Sequence, residues 1–295
     1  GNTSYMNQLR LNRFIEGVEK LRLEGKDPVK DIDDYKKLAK AINTLTGRAN
    51  VPQFLKTTDP KVLAAIFFSF RNWVSKLNML NPIFYYGLGD YKNPSEIFTK
   101  KPTVAQKIAI TDMMRYITIT TSMMYLIQAA AGKDDDGEDV VTIEKDPRSS
   151  DFMKMRMGDL RLDPWGGLQS TITFFMRMAT DQTKSTKTGE ILRGGEKFGA
   201  RTRGELFQDY VSGKFNPSTG LVWEYMHTKE KIDENGEAYR ENKFGEKFSI
   251  ADDVYNVVMK NKDKLNAIID YVRDYNFDYF AWRSLTEMYL LKDSV

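Results

Sequence analysis

The residues best suited to bind an anion lie in a basic, glycine-containing stretch at positions 184–203. Lys and Arg side chains at this density are candidate phosphate contacts, so nucleic acid is one predicted partner. A single aromatic residue, Phe198, gives only weak support for base stacking, and the glycines at 194, 195 and 199 do not form a phosphate-loop motif. An exposed loop between helices is the alternative, and the composition favours it. The candidate phosphate contacts are Lys184, Lys187, Arg193, Lys197, Arg201 and Arg203.

Catalytic and metal-binding patterns are not found in the sequence. The chain has one histidine, His227, and no cysteine, which excludes a His-based triad, a zinc site with several His ligands and a thiolate site. The acidic residues 133–139 do not fit a calcium loop, because the twelfth ligand position would lack a carboxylate. Asp159 and Asp163 alternate with arginines, a pattern that favours paired charges over acid–base catalysis. We therefore predict no catalytic, cofactor or metal residues, and a protein that is not an enzyme.

Composition and hydrophobic patterning predict a folded, mainly helical chain. Hydrophobic residues make up 41% of the 295 residues and charged residues 29%, a balance typical of globular proteins. The net charge of +3 is too small to identify a partner. Apolar residues recur at helical spacing over positions 11–21 and 32–45, and Gly25 and Gly47 follow as expected helix ends. Asp59 and Pro60 favour the start of one strongly apolar helix through residues 61–80.

The longest predicted helix follows Pro102 and ends at Gly132. Its uncharged part, residues 116–131, is shorter than the roughly 18 to 20 apolar residues of a membrane span. A buried core helix is therefore the favoured interpretation. A membrane-active or subunit-facing helix stays open as the alternative.

The clearest strand signal lies on either side of Gly158 and Asp159. Residues 152–157 and 160–163 alternate apolar and polar side chains, which predicts a hairpin, and Asp163 is expected to cap the next helix. The predicted fold class is mainly α, a multi-helix bundle with a small β-hairpin inserted near the middle. Three parts are expected: a helical region over residues 1–132, the hairpin with further helices over residues 133–226, and a polar arm with an aromatic-rich helical region over residues 227–295.

The aromatic residues of positions 265–291 recur at helical spacing. Packing on the chain's own core is the default for such residues. An exposed tail would instead anchor other subunits. The candidate subunit contacts are Tyr275, Phe277, Phe280 and Trp282.

Residues 146–170 read DPRSSDFMKMRMGDLRLDPWGGLQS. This string resembles a segment near the C-terminal end of the large polyvalent proteins of tailed bacteriophages, and the resemblance spans about residues 42–226. Met153 departs from the small residue expected there, and the region after Ser249 has no counterpart. Short matches flank the string in the same order: LTGR (45–48) and FFSFR (67–71) before it, and KS (184–185), TG (188–189), TR (202–203) and KFNP (214–217) after it.

The resemblance implies a structural, non-catalytic virion protein, an internal cargo or ejection component that is packaged in the capsid or the portal and tail and delivered with the genome. It further implies synthesis in the bacterial cytoplasm, location in the virion, contacts with portal, tail or capsid proteins and with itself, and release from a polyprotein. Two alternatives remain open. One is a nucleic-acid-binding accessory protein that uses residues 184–203, and the other is an ejection protein that acts on the host membrane.

Overall fold

The computed structural model describes residues 2–52, 58, 60–196, 200–227, 230–232, 236, 238–241, 247, 248 and 263. This part of the chain is mainly helical and carries small antiparallel sheets between the helices, which confirms the predicted fold class. It divides into two compact units. One unit contains the described residues of Gly1–Val51 and Arg71–Arg203, and the other contains those of Pro52–Phe70 and Gly204–Asn276. The three-part division expected from the sequence stays a prediction.

Helices account for most of the described structure. Gly25 and Gly47 follow the first two of them with φ values of +78° and +79°, as the sequence predicts for helix ends. In chain order the helices are α1 (Asn2–Leu23), α2 (Ile32–Leu45), α3 (Pro60–Ile66), α4 (Phe70–Met79), α5 (Pro82–Tyr86), a 3-10 helix (Pro94–Phe98), α6 (Val104–Ala131), α7 (Leu168–Thr180), α8 (Arg203–Ser212) and α9 (Pro217–His227).

The strands are short and pair antiparallel. The predicted hairpin is confirmed: Met155 pairs with Leu162 and Met157 with Leu160 around the turn at Gly158. The sheets have the orders β1–β2–β3, β4–β5 and β6–β7–β8. Their strands are β1 (Thr142–Ile143), β2 (Met155–Met157), β3 (Leu160–Leu162), β4 (Gln182–Lys184), β5 (Ile191–Arg193), β6 (Glu230–Ile232), β7 (Ala238–Glu241) and β8 (Lys247–Phe248).

Two apolar clusters hold the first unit together. In one cluster α1 crosses α2 so closely that a Cβ on Gly17 would stand 2.6 Å from Leu38, so a larger residue there would force the Leu38 side chain to move. That cluster contains Leu21, Tyr35, Leu38, Ala41, Ile42, Phe84, Leu88, Val104, Ala105, Ile108 and Ala109. The other cluster joins the β1–β2–β3 sheet to the second half of α6 and contains Met124, Val141, Ile143, Met155, Trp165 and Leu168.

The prediction of one helix over residues 61–80 is wrong, because α3 ends at Ile66 and α4 begins at Phe70. The backbone between them forms strand-like hydrogen bonds instead. Phe68 N–H donates to the Lys214 carbonyl at 3.1 Å, and Asn216 N–H donates to the Ile66 carbonyl at 2.8 Å. Burial of the Phe67 ring next to Phe215 stabilises this break in the helix.

The long helix α6 begins with a capping box, in which Thr103 accepts from Gln106 N–H at 3.2 Å and Gln106 accepts from Thr103 N–H at 3.0 Å. It ends before Gly132, as predicted. Its first turns are buried, which agrees with the favoured core helix, but much of its second half is exposed. Among the described residues, no helix is both long and apolar enough to cross a membrane.

Candidate functional site

Three arginines from separate parts of the first unit meet at the C-terminal end of α2. Arg10 lies on α1, Arg48 in the turn after α2 and Arg71 on α4. We call them the arginine cluster. Arg10 is half-buried, and the other two are exposed.

The turn after α2 brings backbone carbonyls to this point. Arg48 N–H donates to the Asn43 carbonyl at 2.7 Å and Gly47 N–H to the Thr44 carbonyl at 3.2 Å, the pair of hydrogen bonds that defines a Schellman motif. Gly47 adopts the positive φ that this motif requires. The carbonyls that follow are left pointing outwards, where side chains from α1 and α4 reach them.

Two of the arginines bind this turn. Arg10 donates from Nε to Thr46 Oγ1 at 2.7 Å and from Nη2 to the Thr46 carbonyl at 2.6 Å. Arg71 donates from Nε to the Ala49 carbonyl and from Nη2 to the Arg48 carbonyl, both at 3.0 Å. Cations at the C-terminal end of a helix are stabilised by the helix dipole, so part of the role of Arg10 and Arg71 is structural.

The positive charge of the arginine cluster is not neutralised by nearby carboxylates. Within the described part of the chain, none of the three guanidinium groups has a carboxylate oxygen within 4.0 Å. The pKa of Arg10 is lowered, first by burial and then by repulsion from Arg48 and Arg71. Three like charges therefore lie together and repel one another, an arrangement that an anion would relieve.

The arginine cluster also keeps hydrogen-bond donors for such an anion. A guanidinium group has five N–H donors. Arg48 uses none of them on the described residues, and Arg71 uses two. Planar arrays of guanidinium N–H groups match the oxygens of phosphate, which they bind in a bidentate way.

An open groove of about 810 Å³ runs along α2. Its lining combines lysines with the amide side chains of Asn43 and Asn50 and with the carboxylates of Asp31, Asp33, Asp34 and Asp90. None of the three arginines is among its described lining residues, but the Asn43 carbonyl accepts from Arg48 N–H in the Schellman turn. Its size lies in the range of small-molecule sites, and its amide side chains offer both donors and acceptors.

The residues predicted as phosphate contacts lie elsewhere and are partly paired. Residues 182–193 form the β4–β5 hairpin, in which Lys184 contacts Glu144 at 2.7 Å. Arg203 lies 3.5 Å from Asp181. Lys187 and Arg193 are exposed, and Arg201 interacts with another residue of the protein. Lys197 lies outside the described residues. Phosphate binding by these six residues stays a prediction, as does subunit contact by Tyr275, Phe277, Phe280 and Trp282, which also lie outside the described residues.

Next to this hairpin lies a compact group of matched charges, Glu144, Asp146, Arg148 and Lys184, which we call the paired cluster. Arg148 donates to Asp146 through Nε at 3.0 Å and through Nη2 at 2.8 Å, and through Nη1 to Gln182 at 2.6 Å. The hydrogen bonds from Arg148 lower the pKa of Asp146 to about 2. These side chains are saturated by one another, so the paired cluster is structural.

Asp163 and Lys76 form a further polar group at the start of α7. Asp163 accepts from Trp165 N–H and Gly167 N–H, both at 2.9 Å, so it caps the turn before α7 rather than the helix itself. Burial lowers the pKa of Lys76, and the nearby Asp163 charge opposes this effect.

Among the described residues, no group of three or more His, Cys, Asp or Glu side chains is arranged to hold a metal ion.

Curated proteins similar to part of this chain are large subunits of ribonucleoside-diphosphate reductase. Large chain 2 from Saccharomyces cerevisiae is 49% identical over 43 residues, and the large subunits from Plasmodium falciparum and Arabidopsis thaliana are each 46% identical over 43 residues. These residues are 15% of this chain and 5% of each relative. The chain thus spans about one twentieth of the length of the relatives it matches. No family model matches the chain, and no solved structure matches it.

These matches correct the function predicted from the sequence. The resemblance to phage polyvalent proteins finds no support from a family model, and the curated matches are to reductase subunits instead. The structural virion role, with its nucleic-acid-binding and membrane-active alternatives, is therefore wrong. The prediction of a non-enzyme is overturned by the same matches, because the similar proteins are named as enzymes. The predicted virion location and virion partners are not tested by any of these observations.

The arginine cluster was missed by sequence reasoning, because its members are far apart along the chain. Arg48 and Arg71 lie in the short fragments LTGR and FFSFR, which belong to the resemblance to phage polyvalent proteins. One sequence feature could have indicated the arginine cluster: Arg48 directly follows Gly47, which ends a helix. A turn of this kind exposes backbone carbonyls, and further cationic side chains can bind them.

Proposed function

We propose that this chain binds ribonucleoside diphosphates and acts in ribonucleotide reduction. The observation that carries the proposal is the 43-residue match to enzymes named for that substrate, at 42–49% identity in seven eukaryotic species. Binding, and not the reduction step, is proposed for the described residues. The 295 residues contain no cysteine, so any thiol that donates electrons must belong to another polypeptide or lie outside this stretch.

The arginine cluster supports a diphosphate as the ligand. A nucleoside diphosphate carries about three negative charges near neutral pH, which three guanidinium groups without nearby carboxylates would balance. Arg48 and Arg71 have N–H donors to spare for the phosphate oxygens. The nucleoside would lie in the groove along α2, where Asn43 and Asn50 offer amide groups to the base and the ribose.

Calorimetric titration of the full chain with ADP, pyrophosphate and adenosine tests this function. We expect ADP to bind more tightly than pyrophosphate, because it adds contacts in the groove, and adenosine to bind most weakly. Arg48→Gln should weaken ADP binding about tenfold, since it removes one charged group that makes no described contact within the protein. Added salt should weaken binding as well, because the arginine cluster is at the surface.

Arg22→Gln is the matched control. Arg22 is exposed in the last turn of α1, has no described side-chain partner and does not line the groove, and its replacement changes the net charge as much as Arg48→Gln does. Equal losses in the two variants would mean that ADP responds only to net charge. No binding of ADP to the unaltered chain would reject the proposed function.

A further inference from the structure

The two halves of α6 have different surroundings. In the first half Val104, Ala105 and Ile108 are buried in the cluster that α1 and α2 cover. In the second half one side packs on the β1–β2–β3 sheet, where Met124 is 1% exposed. The opposite side is open, with Ile119 64%, Met123 55% and Leu126 69% exposed. A contiguous set of large apolar side chains at such exposure is typical of an interaction surface.

The spacing of these residues defines the kind of partner that fits. Ile119, Met123, Leu126 and Ala130 are separated by four, three and four positions, the alternation of the a and d positions of a coiled coil. All four are exposed on one side of a continuous helix. We call these four residues the α6 seam. A seam of this kind packs against another helix, because its side chains interdigitate with an equivalent row.

We propose that the α6 seam binds the α6 seam of a second copy of this chain in an antiparallel orientation. In this arrangement Ile119 faces Ala130 of the other copy, and Met123 faces its Leu126. At each end of the contact a large side chain therefore packs against a small one, and in the middle two side chains of similar size pack together. This inference is independent of the proposed ribonucleoside diphosphate binding, which uses other elements.

Charge complementarity selects both the partner and the orientation. Arg115 lies one turn before the α6 seam, with its side chain 65% exposed and its nearest described carboxylate, that of Asp112, at 3.7 Å. Directly after α6 comes an exposed acidic loop with carboxylates at positions 134, 135, 136, 138 and 139. The loop is held in shape by Asp134, which accepts from Asp136 N–H and Glu138 N–H.

In the antiparallel pair Arg115 of one copy lies near the C-terminal end of α6 of the other, where the acidic loop begins. The two-fold symmetry of the pair repeats this contact at both ends. A parallel pair would instead bring the two acidic loops together, where like charges repel. The chain therefore carries both halves of a self-complementary surface.

The α6 seam is short, so the expected dimer is weak and depends on concentration. Sedimentation velocity of the full chain over a range of concentrations is the first test. Met123→Glu and Met114→Glu form a matched pair, because Met114 is 56% exposed on the same helix but lies outside the α6 seam. We expect Met123→Glu to abolish the dimer and Met114→Glu to keep it. A chain that is monomeric at every concentration, or equal effects of the two variants, overturns the proposal.

Cross-linking tests the orientation, and the absence of native cysteines makes it unambiguous. The variants Arg115→Cys and Asp135→Cys are prepared separately and then mixed under mild oxidation. An antiparallel pair should give a disulfide-linked dimer in the mixture, at least severalfold more than in either variant alone. Efficient cross-linking of Arg115→Cys with itself would indicate a parallel pair and would overturn the proposal.

Discussion

The arginine cluster and the paired cluster differ in whether nearby carboxylates neutralise their positive charges. In the paired cluster Arg148 binds Asp146 with two nearly parallel hydrogen bonds, and Lys184 contacts Glu144. In the arginine cluster Arg10 and Arg71 bind neutral carbonyl oxygens, and the charge remains. The first arrangement lowers the energy of the folded chain and leaves nothing to bind. The second retains repulsion that only an added anion removes, which is why we assign ligand binding to it.

Removing the central arginine of the paired cluster should have the largest effect on stability. Arg148→Met removes the guanidinium donors of Asp146 and Gln182 and leaves Asp146 with the backbone N–H of residue 148, so we expect the free energy of unfolding to fall by about 2 to 3 kcal/mol. Urea denaturation followed by tryptophan fluorescence measures this loss. Arg193→Met is the control and should change stability by less than about 0.5 kcal/mol. A loss below about 0.5 kcal/mol for Arg148→Met would remove the contrast between the clusters.

A bound ligand should stabilise the protein through the arginine cluster. ADP at ten times its dissociation constant is expected to raise the free energy of unfolding by about 1.4 kcal/mol. At the same ADP concentration Arg48→Gln should gain only about 0.4 kcal/mol, because its affinity is about tenfold weaker. Thermal or urea denaturation with and without ADP measures both values. Equal gains in the two proteins would place the ligand away from Arg48.

The paired cluster should also show a characteristic pH dependence. The pKa of Asp146 falls from its usual 3.8 to about 2 in the folded chain, so the ionised side chain stabilises the fold above about pH 4. That contribution is lost as the pH falls towards 2. Asp146→Asn keeps an oxygen for Arg148 N–H but has no charge, so we expect it to be about 1 kcal/mol less stable at pH 7. Urea denaturation at several pH values should show this difference shrinking below pH 4, and a constant difference would speak against the ion pair as its cause.

The smallest expected effect concerns the arginine cluster in the absence of ligand. Arg48→Gln removes a charge that repels Arg10 and makes no described contact, so stability should stay within about 0.5 kcal/mol and rise slightly if it moves. The same denaturation experiments provide the value. Destabilisation by more than about 1 kcal/mol would show that Arg48 has a structural role, as Arg148 does.

The sequence predicted features that depend on local backbone preferences. Gly25, Gly47 and Gly132 mark helix ends as expected, and the turn at Gly158 joins the two strands of the predicted hairpin. Where the β4–β5 hairpin lies the sequence predicts a loop, because strands of three residues are too short to show alternation. For the run after Pro60 it predicts one helix, because the backbone hydrogen bonds that interrupt this helix involve residues 214–216, far along the chain.

What the sequence by itself determined is the helical fold class, the hairpin at Gly158 and the absence of thiol chemistry from these 295 residues. Periodicity and residue type carry that information locally. Only the tertiary structure decided which charges are neutralised, because Arg10, Arg48 and Arg71 meet through the packing of three elements, whereas Arg148 finds its carboxylate two residues away. The same packing buries one half of α6 and leaves the α6 seam exposed, a difference that hydrophobicity along the helix does not reveal.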